Sequence, residues 1–219
     1  MKNSEHKIKA VIVDLDQTLT TDEASWLQFS RILGADPIVH TEIYVNFKKG
    51  NLTYTEAKSQ LINLWRATGK TSKNDISSAF DEIQLRVGAF EAVEYLKGRY
   101  QLCIISGAFD LFVQNIAQKL GIDNWYASTR LKFGSDENLV DFDYKLSRGE
   151  DKLQFLEDYC IKHDIKPEQC AAIGDGESDM PIFSTVGLPI LFLAKETTPQ
   201  QKNIIPTHIK DWSEIYQIL

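Results

Sequence analysis

A single stretch near the start of the chain, Ile8–Thr20, limits the folds that are open to the rest of the sequence. It reads IKAVIVDLDQTLT, in which a short apolar and mostly β-branched run, Ala10–Val13, precedes Asp14 and Asp16. Such a run is typical of a strand that is buried on both faces of a parallel sheet. We expect the two carboxylates at the carboxyl edge of that sheet, where ligands bind, with a cation or a proton between them. A turn with two solvated aspartates is the alternative.

The chain is long and apolar enough to form a packed core. It has 219 residues, 43% of them hydrophobic, and a net charge of −7, which argues against nucleic acid or an anionic membrane as a partner. The polar start of the chain and its short apolar runs argue against a secretory signal and a membrane span. Cys103, Cys160 and Cys170 show no C-x-x-C spacing, which predicts reduced, buried thiols and a cytoplasmic protein.

A helical insert, residues 21–85, is predicted between the first strand and the next. Apolar residues recur there at helical spacing, and clusters of β-branched residues are few. Gly34 and Gly69 mark helix ends, and Thr53 with Glu56 forms a capping box, so the insert divides into several helices. A segment of this size can form a small domain.

From residue 88 onward, strands and helices alternate, which predicts an α/β fold with a parallel sheet and right-handed crossovers. The predicted strands are Gln101–Ile105, Trp125–Phe133, Leu139–Tyr144, Cys170–Ile173 and Leu188–Leu193. The predicted helices are Ala89–Lys97, Phe109–Leu120, Gly149–His163 and Asp211–Leu219. The turn residues Gly134–Asp136 between two of these strands predict a hairpin.

The second predicted strand ends at Ser106 and Gly107. A hydroxyl and backbone N–H groups at a strand-to-helix turn form a seat for phosphate, which the positive end of the following helix supports. An ordinary turn with a capping serine is the alternative.

Lys152 lies in the first turns of a helix that Ser147 is predicted to cap. A lysine at a helix start opposes the macrodipole, which favours a nearby anion or carboxylate. Arg148 competes for the same role, and a solvated surface charge is the alternative.

The stretch GDGESDMP follows the strand Cys170–Ile173. Asp175 and Asp179 are four residues apart, and Gly174 and Gly176 permit a tight backbone. This spacing can direct two carboxylates at one cation, whereas a surface loop is the alternative.

Taken together, these motifs resemble those of the haloacid dehalogenase superfamily of phosphotransferases, which use an aspartate nucleophile. They occur in the family's order, as D-L-D-Q-T-L-T, S-G, Lys152 and G-D-G-x-x-D. The last motif and the hairpin resemble the phosphoserine phosphatase-like branch. The resemblance implies a Rossmann-like catalytic core, residues 1–20 and 86–219, with a helical cap domain of type C1, residues 21–85, inserted after the first strand.

The resemblance also implies the chemistry of the carboxylates. Asp14 would attack phosphorus and form an aspartyl phosphate, and Asp16 would act as general acid and then as base. Mg²⁺ would be held by the Asp14 carboxylate, the Asp16 carbonyl and Asp175, with Asp179 in support. The implied function is hydrolysis of a small phosphate monoester.

The remaining implied site residues bind the substrate. Ser106, the Gly107 N–H and Lys152 would neutralise charge on the phosphoryl group. Glu23 matches a cap glutamate that faces the substrate amino group in phosphoserine phosphatases. The alternative for Glu23 is a favourable acid in the first turn of a helix.

The chain departs from the phosphoserine phosphatase pattern in the cap. Leu61 or a neighbour stands where that branch has an arginine for the substrate carboxylate, and Lys58 and Arg66 are out of register. Ser178 and Glu177 also differ from the usual last motif. The phosphatase chemistry is therefore predicted, but phosphoserine as the substrate is not.

Three aromatic residues of the insert, Trp26, Phe29 and Trp65, either line a pocket for an apolar leaving group or form the core of the cap. The core is the favoured interpretation, because large aromatic side chains are mostly buried. The histidines show no ligand spacing and receive no role.

Other functions compete with hydrolysis. A phosphotransferase of the same superfamily would pass the group to an alcohol. A phospho-accepting receiver module is shorter and lacks the helical insert, and a dehalogenase needs neither the metal nor a second acid. A non-catalytic relative that binds a partner is the least favoured alternative, because every motif position here carries a residue that can take part in catalysis. We expect a small phosphorylated metabolite as partner, no nucleic acid or membrane, and a monomer or homodimer.

Overall fold

The computed structural model describes residues 7–21, 23–144, 149–193 and 198–219 of the chain. Its strands are β1 (Ala10–Val13), β2 (Gln101–Phe109), β3 (Asn124–Phe133), β4 (Leu139–Tyr144), β5 (Cys170–Gly174), β6 (Leu188–Phe192) and β7 (His208–Ile209). Its helices are α1 (Ser25–Leu33), α2 (Pro37–Lys48), α3 (Tyr54–Arg66), α4 (Lys73–Asp81), α5 (Ala89–Lys97), α6 (Asp110–Leu120), α7 (Glu150–His163), α8 (Met180–Phe183) and α9 (Pro199–Ile204). Short helical turns cover Leu15–Leu19, Pro167–Gln169, Glu177–Asp179 and Trp212–Gln217.

The strands form one sheet in the order β4-β3-β2-β1-β5-β6-β7. All neighbours are parallel except the β3–β4 hairpin, which confirms the predicted α/β fold and hairpin. The central strand β1 is fully buried, because its residues are apolar on both faces. Val13 pairs with Ile104 on one side and Ile173 on the other. The chain therefore leaves these three strands at the same edge of the sheet.

The helical insert consists of α1 to α4 and lies between β1 and β2 in the chain. Thr53 and Glu56 form the predicted capping box at the start of α3. Thr20 and Leu85 form an antiparallel bridge, so the two ends of the insert are adjacent. Its assignment as a separate cap domain, residues 21–85, stays a prediction.

The helical insert and the sheet share one hydrophobic cluster. The rings of Phe29 and Phe109 lie 5.1 Å apart, and those of Phe80 and Phe112 also lie 5.1 Å apart. Phe29 and Trp65 are fully buried, which confirms their favoured interpretation as core residues. Trp26 differs, because it is only half-buried.

Strand β2 is longer than predicted. It continues past Ser106 to Phe109, and its register with β3 shifts between these residues. The shift is an irregularity that lets the strand go on and bury Ala108 and Phe109 completely. Helix α6 therefore begins at Asp110, one residue after the predicted start.

Three smaller observations complete the comparison with the sequence. The predicted last helix is a tighter helical turn, Trp212–Gln217, and α9 and β7 were not predicted. The three cysteines are buried and free, as expected. Among the described residues, none of the helices combines the length and the apolar character that a bilayer crossing requires.

Candidate active site

The predicted acidic residues of the first and last motifs lie side by side at the carboxyl edge of the sheet. Asp14 follows β1 directly, is 5% exposed, and donates its backbone N–H to the Ile173 carbonyl of β5 at 2.9 Å. Asp175 follows the end of β5 and is half-buried. The adjacency comes from the pairing of β1 with β5, since parallel neighbours end at a common edge.

Lys152 reaches this edge from the start of α7. Its side chain is almost fully buried, and its Nζ lies 2.8 Å from Asp14 Oδ1 and 2.8 Å from Asp179 Oδ1. Burial lowers the pKa of Lys152, but the charges of Asp14 and Asp179 outweigh this effect and raise it, so the ammonium keeps its proton. The alternative interpretation of Lys152 as a solvated surface charge is therefore wrong. Ser147 and Arg148 lie outside the described residues.

Asp179 lies across the end of β5. Its Oδ2 accepts a hydrogen bond from the Gly176 N–H at 3.1 Å, and Asp179 as a whole is 3% exposed. A Cβ atom on Gly174 would stand 2.5 Å from Asp179 Cγ. Glycine at position 174 therefore gives the carboxylate the space that it occupies beside Lys152.

Asp14, Asp175 and Asp179 form a carboxylate cluster, with one oxygen from each lying within 4.8 Å of the others. Burial raises the pKa of Asp14 to about 7, against the attraction of Lys152, and the charge of Asp179 adds to the rise. Burial likewise raises the pKa of Asp175 to about 8, and Asp14 and Asp179 add to it. The negative charge thus exceeds what one lysine neutralises. Hard oxygen ligands with uncompensated charge fit a divalent cation such as Mg²⁺.

Asp16 has a different environment from the carboxylate cluster. Its Oδ1 accepts from the backbone N–H of Ser25 at 3.1 Å, and its Oδ2 accepts from the Ser25 hydroxyl at 2.8 Å. Burial raises the pKa of Asp16 to about 6, and these hydrogen bonds counteract the rise. Asp14 and Asp16 therefore experience different partners, as two carboxyls with different chemical roles require.

Sequence reasoning missed Ser25, which is fully buried at the first position of α1. Its contact with Asp16 spans nine residues and a turn of the chain. A serine at a helix start is ordinarily read as a cap for its own helix, so no local signal distinguishes this contact.

Thr20 stabilises the turn that follows Asp14. Thr20 Oγ1 donates to the Leu15 carbonyl at 3.1 Å and accepts from the Gln17 N–H at 3.3 Å. Gln17 has a positive φ of 59°, and its carbonyl accepts from Arg86 Nη2 at 2.7 Å. The hydroxyl of Thr18, in the same turn, is buried without a hydrogen-bond partner in the described part of the chain.

Ser106 and Gly107 lie at the irregularity of β2, near the end of the neighbouring strand β1. The Ser106 hydroxyl is fully buried and accepts from the Ala108 N–H at 3.2 Å, which leaves its own proton to donate. The Gly107 carbonyl accepts from Thr129 Oγ1 at 2.8 Å. Phosphate binding by these two residues stays a prediction.

Glu23 precedes α1 and pairs with Arg31 on that helix. Both carboxylate oxygens contact the guanidinium, one of them at 2.6 Å. The Glu23 side chain is 31% exposed. A salt bridge within the helical insert thus occupies the carboxylate that the sequence predicts to face a substrate amino group.

The residues near the expected position of the substrate-binding arginine also have partners within the protein. Leu61 packs in the shared hydrophobic cluster. Lys58 Nζ lies 2.8 Å from Asp141 Oδ1 and donates to the Phe142 carbonyl at 3.0 Å. Arg66 Nε donates to the Leu139 carbonyl at 3.1 Å. These contacts attach α3 to β4.

The chain is similar to known proteins along most of its length. A family model described as haloacid dehalogenase-like hydrolase matches residues 8–187. The phosphoserine phosphatase of Methanocaldococcus jannaschii is 28% identical over 201 residues, which cover 91% of this chain and 92% of that protein. A solved phospho-aspartyl intermediate analogue of phosphoserine phosphatase has a TM-score of 0.75 and 27% identity, covering 97% of this chain and 99% of the other. A substrate-bound phosphoserine phosphatase complex has a TM-score of 0.76 and 28% identity with the same coverage.

Proposed function

This chain belongs to the haloacid dehalogenase-like hydrolases, in the phosphoserine phosphatase-like branch, and from this premise we propose that it hydrolyses a small phosphate monoester with Mg²⁺ through an aspartyl phosphate. Its membership supports a phosphoric monoester hydrolase. The observation that carries the finer proposal is the position of Asp14. This carboxylate leaves β1 at the sheet edge, contacts Lys152 and lies within the carboxylate cluster.

In the proposed reaction, a carboxylate oxygen of Asp14 bonds to phosphorus while the bond from phosphorus to the leaving oxygen breaks. Asp16 gives a proton to that oxygen, and its raised pKa of about 6 brings its proton exchange closer to neutral pH than that of an ordinary carboxyl. Asp16 then takes a proton from water as the water oxygen attacks phosphorus. The bond to Asp14 breaks, which releases phosphate and restores both carboxyls.

The remaining predicted residues would stabilise charge during transfer. Lys152 fixes the orientation of Asp14 through a 2.8 Å contact and supplies a positive charge beside it. The Ser106 hydroxyl and the Gly107 N–H would donate to the phosphoryl oxygens. Asp14, Asp175 and the Asp16 carbonyl would hold Mg²⁺, with Asp179 in support. When bound, the ion would keep these carboxylates ionised and neutralise phosphoryl charge.

The helical insert, residues 21–85, would act as a cap that excludes water from the site during transfer. The contact of Ser25 with Asp16 supports this role, because it joins the first helix of the insert to the proposed general acid. A cytoplasmic location, which the three free thiols support, and a monomeric or homodimeric state stay predictions.

The test measures phosphate release from O-phosphoserine, sugar phosphates, nucleoside monophosphates and pyridoxal phosphate, with and without Mg²⁺. We expect metal-dependent turnover that Asp14→Asn abolishes. Asp81→Asn is the matched control, because Asp81 is an exposed carboxylate that pairs with Lys119 at 2.8 Å on the surface. Retained activity in Asp14→Asn contradicts the nucleophile, and formation of a new ester with an added alcohol indicates transfer in place of hydrolysis.

A further inference from the structure

Four aromatic rings form a wall where α1 meets the ends of β2 and β4. This aromatic wall consists of Trp26, Phe109, Phe142 and Tyr144. The ring centroid of Trp26 lies 4.3 Å from that of Phe109, 5.3 Å from that of Phe142 and 5.8 Å from that of Tyr144. Phe109 and Phe142 are buried, whereas Trp26 and Tyr144 are half-buried and still present ring surface.

The aromatic wall flanks the proposed site. Trp26 directly follows Ser25, whose N–H and hydroxyl both contact Asp16. Phe109 lies three residues after Ser106 on the same strand, β2. Two members of the wall are thus tied through the backbone to residues that would contact the leaving group or the phosphoryl group.

Tyr144 lies at the other end of the wall. Burial raises the pKa of the Tyr144 hydroxyl, the charge of Asp151 raises it further, and the charge of Lys152 lowers it. The ring therefore lies in the electrostatic field of the first turn of α7. The same tyrosine donates its backbone N–H to the Tyr54 hydroxyl at 3.2 Å, which fixes it against α3.

The cationic side chains of α1 and α3, which belong to the described part of the chain, already have partners. Arg31 is the cation of α1, and it pairs with Glu23. The cations of α3 are Lys58, which contacts Asp141, and Arg66, which donates to a backbone carbonyl of β4. The carboxylate of an amino-acid leaving group would have to displace these contacts or lie against aromatic rings without a cation as partner, and the second outcome is costly.

We propose that the leaving group of the substrate is an uncharged, largely apolar alcohol that packs against the aromatic wall, with Trp26 as the main specificity-determining residue. This inference rests on the proposed function and adds the substrate class to it. A flat, half-buried indole on the residue next to Ser25, which contacts Asp16, recognises apolar surface and offers no partner to a carboxylate.

The kinetic test compares benzyl phosphate with O-phosphoserine at saturating Mg²⁺. Both are alkyl esters, so a difference in kcat/KM reports recognition more than leaving-group reactivity. We expect benzyl phosphate to be favoured by about 10-fold or more, since one buried ring contact discriminates to this extent. Trp26→Ala should lower kcat/KM for benzyl phosphate by about 10-fold. It should leave kcat/KM for phosphoserine within about twofold of the native value.

Two further variants separate recognition from folding. Trp26→Phe keeps a ring at the wall and should retain most of the preference for benzyl phosphate. Phe90→Ala removes an aromatic side chain of α5 that is 48% exposed, and it should change kcat/KM for neither substrate. A preference for phosphoserine, or an equal loss on both esters in Trp26→Ala, overturns the inference while the proposed hydrolysis stands.

A binding measurement distinguishes this inference from the proposed function. Benzylphosphonate cannot be hydrolysed, and its affinity is measured by calorimetry against that of 2-amino-4-phosphonobutyrate, a phosphonate that carries the amino-acid group. We expect tighter binding of benzylphosphonate, weakened about 10-fold by Trp26→Ala. If no ester is turned over but this binding pattern is found, the proposed function fails and the aromatic recognition stands. If the amino-acid phosphonate binds more tightly, the inference is wrong.

Discussion

Two regions of the molecule bury polar groups. In one of them the polar groups are paired with one another, and in the other the negative charges exceed the positive charge. Inside the helical insert, Trp65 Nε1 donates to Ser30 Oγ at 2.7 Å, and Ser30 Oγ lies 2.5 Å from His40 Nδ1. This network is neutral and each group named has a partner. In the carboxylate cluster, Asp14 and Asp179 contact the buried Lys152 and Asp175 lies close to both, so these three carboxylates carry more negative charge than this lysine neutralises.

The difference separates a structural from a functional use of burial. A satisfied neutral network joins α1, α2 and α3 and specifies how they pack. A charged cluster with incomplete pairing destabilises the folded protein when no cation is bound, because buried charge without compensation is unfavourable. Strongly raised pKa values of this origin are typical of sites that bind a cation or perform chemistry.

The two regions also respond to acid in opposite directions. Burial lowers the pKa of His40 to about 4, and burial raises the pKa of Asp14 to about 7 and that of Asp175 to about 8. The folded state without metal therefore gains stability from the two carboxyls at low pH and loses it as the pH rises from their ordinary pKa of 3.8 to the folded values of about 7 and about 8. For His40, the folded state loses stability as the pH falls.

The largest expected effect comes from removing Lys152, the cation that contacts the carboxylate cluster within the described residues. Lys152→Met leaves Asp14 and Asp179 without their 2.8 Å partner. Breaking a buried ion pair typically costs about 3 to 5 kcal/mol, and loss of a charge beside the phosphoryl group should lower kcat by at least about 10²-fold. Urea unfolding at pH 8 without metal and phosphate release measure the two effects. Lys119→Met, which removes the exposed partner of Asp81, is the control, and an equally small effect of both variants would refute the comparison.

The next effect is stabilisation by Mg²⁺ itself. A cation that binds only the folded protein at 100 times its Kd raises the free energy of unfolding by about 2.7 kcal/mol. We expect this gain in the native chain and its loss in Asp175→Asn, which removes one member of the carboxylate cluster. Thermal unfolding with Mg²⁺ or EDTA provides the measurement. A gain that persists in both Asp175→Asn and Asp14→Asn would place the ion outside the carboxylate cluster.

The protonation of His40 in the helical insert should change the free energy of unfolding by an amount similar to that expected from Mg²⁺. The folded-state pKa of His40, about 4, lies below the ordinary value of 6.5, so the unfolded chain takes up the proton first as the pH falls. Stability should decrease between pH 6.5 and 4, by about 2 kcal/mol from pH 7 to pH 5. The difference between the native chain and His40→Gln isolates this contribution, because the carboxylate cluster is common to both. Parallel pH profiles of the two proteins would contradict it.

The smallest effect is expected at an exposed contact between the insert and the sheet. Lys58 and Asp141 form a partly exposed pair, 20% and 36% exposed, and such pairs are worth about 0.2 to 1 kcal/mol. Lys58→Met should therefore lower the free energy of unfolding by less than about 1 kcal/mol. Equilibrium unfolding in urea checks this value, and a loss as large as that of Lys152→Met would show that attachment of α3 to β4 depends on charge.

Local chemistry was sufficient to predict several elements of this molecule. The apolar run before Asp14 predicts a buried central strand, because a strand covered on both faces needs apolar residues at every position. Thr53 and Glu56 predict a helix start, since their reciprocal hydrogen bonds depend on spacing alone. Lys152 is conspicuous because its position opposes the helix dipole. Each of these signals lies within a few residues of its cause.

The sequence by itself determined the order of strands and helices, the acidic strand ends and the insert between β1 and β2, because periodicity, capping and turn chemistry act between near neighbours. Only the tertiary structure decided which groups meet: Ser25 with Asp16, Arg31 with Glu23, and Lys152 with Asp14 and Asp179. It also decided that Trp26 is half-buried while Trp65 is buried. The physical reason is that partners distant in the chain are selected by packing and by compensation of buried charge, and these depend on the whole fold.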